Sequence, residues 1–406
     1  MTTVRTLASK PWVLVLAWVI TRSIAVGQLA GWVPYPEGPL MMSDVRLYSV
    51  WSILLADGQF PVGDDMWQYP PAAGLIFAAA RFAGPNPVIG FVVLSLIADA
   101  LILTALLIAA CKGKHGLLAP WVWVGAAVAI GPIMFARFDV FPTLFAVLVL
   151  LLVARPVLSG LAAGVGILVK VWPGLMLIAL PRRKLPIALA VTVATFVAGW
   201  WLVGQWASGA VSFLGEQGGR GLQVESVGAL PYVIFNAFTH QMDYVFRFGS
   251  MEIDMLGSRE AGLALTVLGL ALIAGLALLR LLGRLEQVPP ADVALAALLV
   301  SIATSRVFSP QYTVWIAGVA AVLMLDVRTK LRGCVWMLGI MAFITQVIYP
   351  WGYGSLIEGG WFSVFLQTLR IGLLLAATAL SLGSVLKAAF SRSRSPAQSA
   401  VGSLGA

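Results

Sequence analysis

The residues best suited to chemistry stand between hydrophobic runs. A first apolar run ends near Trp32 and is followed by Ser43-Asp44-Val45-Arg46-Leu47-Tyr48 and by Gln68-Tyr69-Pro70-Pro71. A carboxylate at a lipid–water boundary is placed to take a proton from a headgroup hydroxyl, so Asp44 is a candidate general base. The same position suits a helix start, with Ser43 or Asp44 as N-cap and the acid favoured by the helix dipole. Asp64 and Asp65 are rival carboxylates in this loop, but a solvated turn around Gly63 accounts for both better than catalysis does.

Three further groups carry charge next to apolar runs. Arg137-Phe138-Asp139-Val140-Phe141-Pro142 lies between two of them. An Arg and an Asp within reach of hydrocarbon are costly unless they pair or bind something. They form either a charge pair ending a helix or a site in which the Arg holds a lipid-linked phosphate and the Asp orients it or meets sugar hydroxyls. Lys170, before the break at Trp172-Pro173, is a snorkelling lysine or a phosphate partner. Arg306, in Ser305-Arg306-Val307-Phe308-Ser309-Pro310-Gln311-Tyr312, poses the same choice, with Gln311 and Tyr312 able to bond sugar hydroxyls. The polar run Gly219-Arg220-Gly221-Leu222-Gln223-Val224-Glu225-Ser226 suits a substrate-contacting loop or an ordinary solvated one. His115 and His240 are isolated, so no catalytic zinc is expected. Cys111 and Cys334 show neither metal spacing nor a redox pair.

The elements that must position these residues are membrane helices. The chain is 60% hydrophobic and 11% charged, against about 25% charged in soluble domains. Apolar runs recur at 11–32, 86–111, 117–136, 140–154, 157–170, 172–181, 185–206, 261–283, 291–308, 311–326, 333–350 and 362–386, which predicts an all-α polytopic membrane protein with about twelve crossings. The net charge of +9 is no nucleic-acid signal, because Lys and Arg cluster in short loops. Placing Lys112, Arg155, Arg182-Arg183-Lys184, Arg280, Arg284, Arg328, Lys330 and Lys387 in the cytoplasm puts both termini inside. The acids and the long loops, 33–69 and 207–260, then lie on the outer face. In the first of these, Asp44 to about Gly58 reads as an interfacial amphipathic helix. Segments 70–83 and 228–240 read as helices on or dipping into that face. Residues 1–390 form one domain, and 391–406 form a low-complexity, disordered cytoplasmic tail.

The order of these motifs resembles glycosyltransferase family 87. It runs from Asp44-Val45-Arg46-Leu47-Tyr48 through Tyr69-Pro70-Pro71, Arg137-Phe138-Asp139, Lys170-Val171-Trp172-Pro173 and Arg220 to Ser226, to Phe308-Ser309-Pro310-Gln311-Tyr312. That family comprises actinobacterial integral-membrane enzymes of GT-C type, including polyprenol-phosphate-mannose-dependent α-1,2-mannosyltransferases. The resemblance implies an inverting transferase at the outer face of the plasma membrane, moving mannose to a phosphatidylinositol mannoside or lipoglycan acceptor. It implies Asp44 as base, with Lys170 and Arg306, helped by Arg137 and Arg220, holding the donor phosphate. Tyr48, Tyr69, Asp139, Gln223, Glu225, Gln311 and Tyr312 become substrate-binding residues, and no metal or other cofactor is expected. Some relatives carry a His where this chain has Gln311, so that contact is not carried over. Two other readings stay open: a transferase using polyprenyl-phosphate arabinose or glucose, and a flippase for a lipid-linked sugar. Against the flippase, the polar groups gather on one face and no inverted repeat is visible.

Overall fold

Helices dominate the computed structural model, which describes residues 10–113, 116–206, 209 and 220–391. Prolines open many of them, since proline presets φ and its missing N–H costs nothing in a first turn. Helix α1 (Pro11–Leu29) starts this way. The first connection then carries α2 (Gly38–Met41), α3 (Ser43–Ala56) and α4 (Pro71–Ala79). Next come α5 (Pro87–Gly113), α6 (Leu118–Ile130), the single turn α7 (Ile133–Ala136), α8 (Val140–Leu151) and α9 (Pro156–Val169). A 3-10 helix (Trp172–Ala179) leads into α10 (Leu185–Trp206). The long connection holds β1 (Leu222–Gln223), α11 (Leu230–Thr239), β2 (Tyr244–Arg247) and β3 (Ser250–Ile253). The chain continues through α12 (Ser258–Leu281), α13 (Pro290–Ala303), α14 (Tyr312–Leu323), α15 (Arg332–Gln346), α16 (Tyr353–Ile357) and α17 (Trp361–Phe390).

Among the described residues, six helical stretches are long and apolar enough to cross a membrane: α1, α5, α10, α12, Arg332–Ile357 and α17. Leu16, Val19 and Ile20 on α1 are exposed, as are Val193, Val197 and Trp201 on α10 and Leu263, Val267 and Leu270 on α12. Continuous apolar surface of this kind is unstable in water and stable in lipid. The chain is a helical membrane protein.

Several expected spans are short helices packed partly or wholly inside the protein. Helices α8, α9, α13 and α14 have 12 to 14 residues, roughly 18–21 Å of rise, against about 30 Å of hydrocarbon. Nearly every residue of α13 and α14 is buried. A helix packed all round by protein is as apolar as one facing lipid, so hydropathy does not separate the two. The expected run 172–181 is the eight-residue 3-10 helix, only about 16 Å long. The expected span 117–136 is broken at Gly131, whose φ is +75°. A Cβ there would sit 2.7 Å from the Gln346 side chain, so only glycine fits the break.

The first connection also differs from its interfacial reading. Val45, Tyr48, Trp51 and Leu55 of α3 are buried while Ile53 and Leu54 are exposed, so the helix turns its apolar stripe into the protein. Tyr48 stacks on Phe77 of α4 at 4.6 Å and meets Phe91 of α5 at 4.9 Å. Ala73 and Phe77 are fully buried, so α4 is a core element, not a surface helix over 70–83. A helix, α11, does lie within the expected 228–240, burying Val233 and Ala237 and exposing Phe235 and Phe238. The all-α expectation needs one amendment: β1, β3 and β2 form a three-stranded antiparallel sheet pairing Leu222 with Ile253 and Val245 with Glu252. Of the long loop, 207–208 and 210–219 lie outside the described residues, as do 392–406 of the expected tail.

The helices link two unlike ends. At one, Lys184 Nζ donates to the Ala154 carbonyl (2.9 Å), Arg280 Nε to that of Ile178 (2.8 Å), and the Arg182 N–H to Glu286 (2.8 Å). Helix α8 runs from that end to Asp139, and α9 from it to Lys170, so these two arrive together at the other end. Between the ends a buried ion pair ties α1 to α5: Arg22 Nη2 and Asp99 Oδ1 lie 2.8 Å apart. Trp18 Nε1 also donates to Asp99 (2.6 Å), and Arg22 reaches the Val124 carbonyl of α6 (3.0 Å). Asp99→Leu strands the arginine and should cost roughly 3–5 kcal/mol. The double variant Arg22→Met/Asp99→Leu should regain most of it, read as Tm in detergent.

Candidate functional site

Five chain segments meet at the end opposite the basic turns. A cavity of about 460 Å³ opens between them, lined by Asp44, Tyr48 and Tyr69 on one side and by Lys170, Arg220, Ser309, Gln311 and Tyr312 on others. Phe248, Gly249 and Ser250, at the tip of the β2–β3 hairpin, close part of it. A second cavity of about 450 Å³ between α6, α14 and α15 is apolar and has no ionisable lining group.

Asp44 sits in the first turn of α3, where the N-cap is Met42 with no side-chain cap bond. The capping reading of Ser43 or Asp44 is thus set aside. The Asp44 side chain is 32% exposed, and its Oδ2 pairs with Arg137 Nε at 3.0 Å. Among the described residues, the other oxygen has only a long contact with Ser43 Oγ, 3.3 Å. Arg137 is buried beneath it and donates to the carbonyls of Met41 (2.7 Å) and Ala136 (2.9 Å) and to Tyr349 Oη (2.9 Å). These contacts fix Arg137 as the support of Asp44, one layer behind the cavity wall. The break at Gly131 and the turn α7 deliver it there. Beside Asp44, the Tyr48 and Tyr69 hydroxyls bond each other at 2.9 Å. Burial raises both phenol pKa values and the Asp44 charge raises them further, so both stay protonated.

Lys170 follows directly on α9, and Val171-Trp172-Pro173 turns the chain away. Its Nζ pairs with Asp139 Oδ1 at 2.6 Å. Trp315 Nε1 donates to the same oxygen at 2.6 Å. The ammonium lies 5.0 Å from the Trp315 ring centroid, 5.8 Å from that of Tyr69 and 6.0 Å from that of Tyr312, which are favourable cation–π positions. Tyr312, Trp315 and Trp172 form one stack, with centroids 3.8 and 4.9 Å apart. Asp139 is buried and works through Lys170 and Trp315.

Arg220 is the second cation on the wall. Its Nη2 donates to the Phe248 carbonyl (2.9 Å), and its Nε–H has no partner among the described residues. Arg306 does not line the cavity; its Nη1 donates to the Arg220 carbonyl (3.0 Å). Gln223 and Glu225 are buried behind the wall, bonded to each other at 3.1 Å. Asp64 is committed elsewhere, accepting from Trp51 Nε1 (2.8 Å) and the Met66 N–H (2.9 Å).

Of the residues expected at the site, Asp44, Tyr48, Tyr69, Lys170, Arg220, Gln311 and Tyr312 share the cavity. Arg137 and Asp139 stand directly behind it, while Arg306, Gln223 and Glu225 hold its frame. Trp315 and the hairpin tip are absent from the sequence-based expectation. Trp315 lies three residues after Tyr312, on the same helix face, and that spacing is a usable signal. The hairpin tip has none, because strands this short leave no alternation to read. Among the described residues, no group of three or more His, Cys, Asp or Glu is placed to hold a metal ion; His115 lies outside them.

No protein-family model matches this chain, and neither the curated proteins nor the solved structures contain a match to it.

Proposed function

We propose that this protein is an inverting membrane glycosyltransferase that moves a sugar, mannose by preference, from a polyprenyl phosphate to a hydroxyl of a lipid-linked acceptor. The observation that carries the reading is one cavity holding a carboxylate, one oxygen of which has a long contact with Ser43 Oγ as its one recorded partner among the described residues, together with two cations, Lys170 and Arg220, at one end of a membrane helix assembly. In the reaction, Asp44 accepts the proton of the acceptor hydroxyl as its oxygen bonds the anomeric carbon. The carbon–phosphate oxygen bond breaks in line, and polyprenyl phosphate departs with its charge stabilised by Lys170 and Arg220. The stacked rings of Tyr312, Trp315 and Trp172 offer an apolar wall beside the sugar, with Gln311 and the Tyr48–Tyr69 pair supplying hydroxyl contacts. No metal enters this scheme.

In this reading six long helices, together with α6, α8, α9, the 3-10 helix, α13 and α14, each extended by the irregular turns at its ends, make about twelve crossings. The basic turns favour the cytoplasm, and that orientation supports a cavity at the outer face of the plasma membrane. A polyprenyl chain then stays in lipid while its phosphate reaches the cavity. The motif order of glycosyltransferase family 87 supports the same assignment.

The test uses the purified full chain in nanodiscs containing phosphatidylinositol mannosides. Radiolabelled polyprenyl-phosphate mannose is supplied, with EDTA present. Formation of a labelled glycosidic product with release of polyprenyl phosphate is expected, and the glucose and arabinose donors should be poorer. Movement of label across the bilayer with no new bond would support a flippase and sink the transferase.

A further inference from the structure

Two segments that build the cavity wall converge on one buried charge pair outside it. Arg370, on α17, and Glu225 are both buried, with Nη1 and Oε1 2.9 Å apart. The Arg370 Nη2 donates to the Phe308 carbonyl (3.0 Å), and the guanidinium lies 4.0 Å from the Phe308 ring centroid. Glu225 Oε2 accepts from Gln223 Nε2 (3.1 Å), and Gln223 Oε1 in turn accepts from the Phe308 N–H (2.8 Å). Gln367 Nε2, one turn before Arg370 on α17, donates to the Glu225 carbonyl (2.8 Å). The Gln223 N–H donates to the Arg306 carbonyl (2.9 Å), which links the two wall segments directly through their backbones. The loop is closed: α17, the segment after Arg220 and the segment before Ser309 are bound to one another by side chains and main chain together. Arg220 is five residues from Glu225, and Ser309, Gln311 and Tyr312 are one to four residues from Phe308.

We infer that Arg370 and Glu225 form a buried clamp that sets the separation of the Arg220 and Tyr312 walls, which makes Arg370 a positioning residue for the site. Neither side chain lines the cavity. A fully buried, charge-paired guanidinium has strong orientation and little freedom, so it transmits position from α17 to both segments. The clamp itself is independent of what the cavity binds; its effect on turnover rests on the sugar-transfer reading.

The test combines amide hydrogen exchange with transfer assays on the full chain in nanodiscs. In Arg370→Met and Glu225→Gln, segments 220–226 and 306–312 should exchange at least about 10-fold faster, and together. Arg22→Met/Asp99→Leu, altered at a remote buried pair, should leave both at wild-type rates. Should Arg370→Met fail to fold, Arg370→Met/Glu225→Leu removes both charges at once and keeps the comparison. Transfer should fall about 100-fold in Arg370→Met, the scale of an ångström-level misplacement. Added to Arg220→Gln, the same change should cost less than about 3-fold more, because both act through one wall. Wild-type protection of both segments in the clamp variants would overturn the inference, as would a loss spread evenly over the whole protein. If the wild type transfers no sugar, the sugar-transfer reading fails and the exchange data alone decide the clamp.

Discussion

Asp44→Asn is expected to lower sugar transfer by about 10³-fold, within the range that a positioned general base contributes. The amide keeps the shape of the carboxylate and loses its basicity. It also leaves Arg137, buried beneath it, without its charge partner, although Met41, Ala136 and Tyr349 still accept from the guanidinium. A fall in Tm should therefore accompany the loss, and transfer must be expressed per folded molecule. Asp64→Asn is the informative control. Asp64 holds Trp51 and the Met66 N–H, so its loss should reduce Tm while most transfer per folded molecule survives. Full activity in Asp44→Asn would remove Asp44 from the role of base.

Lys170→Met should lower transfer by about 10²–10³-fold, the scale of losing one preorganised charge at a leaving group. The change also leaves Asp139 buried with Trp315 as its one remaining side-chain donor among the described residues. Breaking a buried pair from one side costs roughly 3–5 kcal/mol, whereas removing both charges is often close to neutral. Lys170→Met/Asp139→Asn should accordingly recover much of the Tm and none of the transfer. That divergence separates the chemistry of Lys170 from its part in the fold. Parallel recovery of Tm and transfer would show that Lys170 serves the fold alone.

The cavity's main charges were legible in the sequence for one physical reason. A charge next to an apolar run is costly, so Asp44, Arg137, Asp139 and Lys170 stand out where they occur. Their division into wall and support was not legible. Arg137 and Lys170 look alike as isolated basic residues; only tertiary contacts show that one lies under a carboxylate and the other beside the cavity. Glu225 shows the limit most clearly. Its polar, glycine-punctuated surroundings read as a substrate-contacting or a solvated loop, yet burial raises its pKa even as the Arg370 guanidinium pulls it down. Its partner sits 145 positions away, beyond any local pattern. Arg370 and Arg22 carried a signal of their own, since each is a lone arginine in a long apolar helix. The fold was legible as helical and membrane-bound. Which helices meet lipid was not, because interior and lipid-facing helices draw on the same residues.

The dependence of the Arg220 and Ser309 segments on α17 has a consequence for biosynthesis. A nascent chain is threaded into the membrane from its N-terminus, and the helix that carries Arg370 follows every segment of the cavity wall in chain order. Asp44, Arg137, Asp139 and Lys170 can meet while translation continues, but the segments around Gln223 and Phe308 have no clamp until α17 docks. A ribosome-stalled chain ending before Trp361 would hold the carboxylate and the lysine in place and still lack a finished cleft. A helix that lines no part of the cavity is thus needed before both of its walls are held.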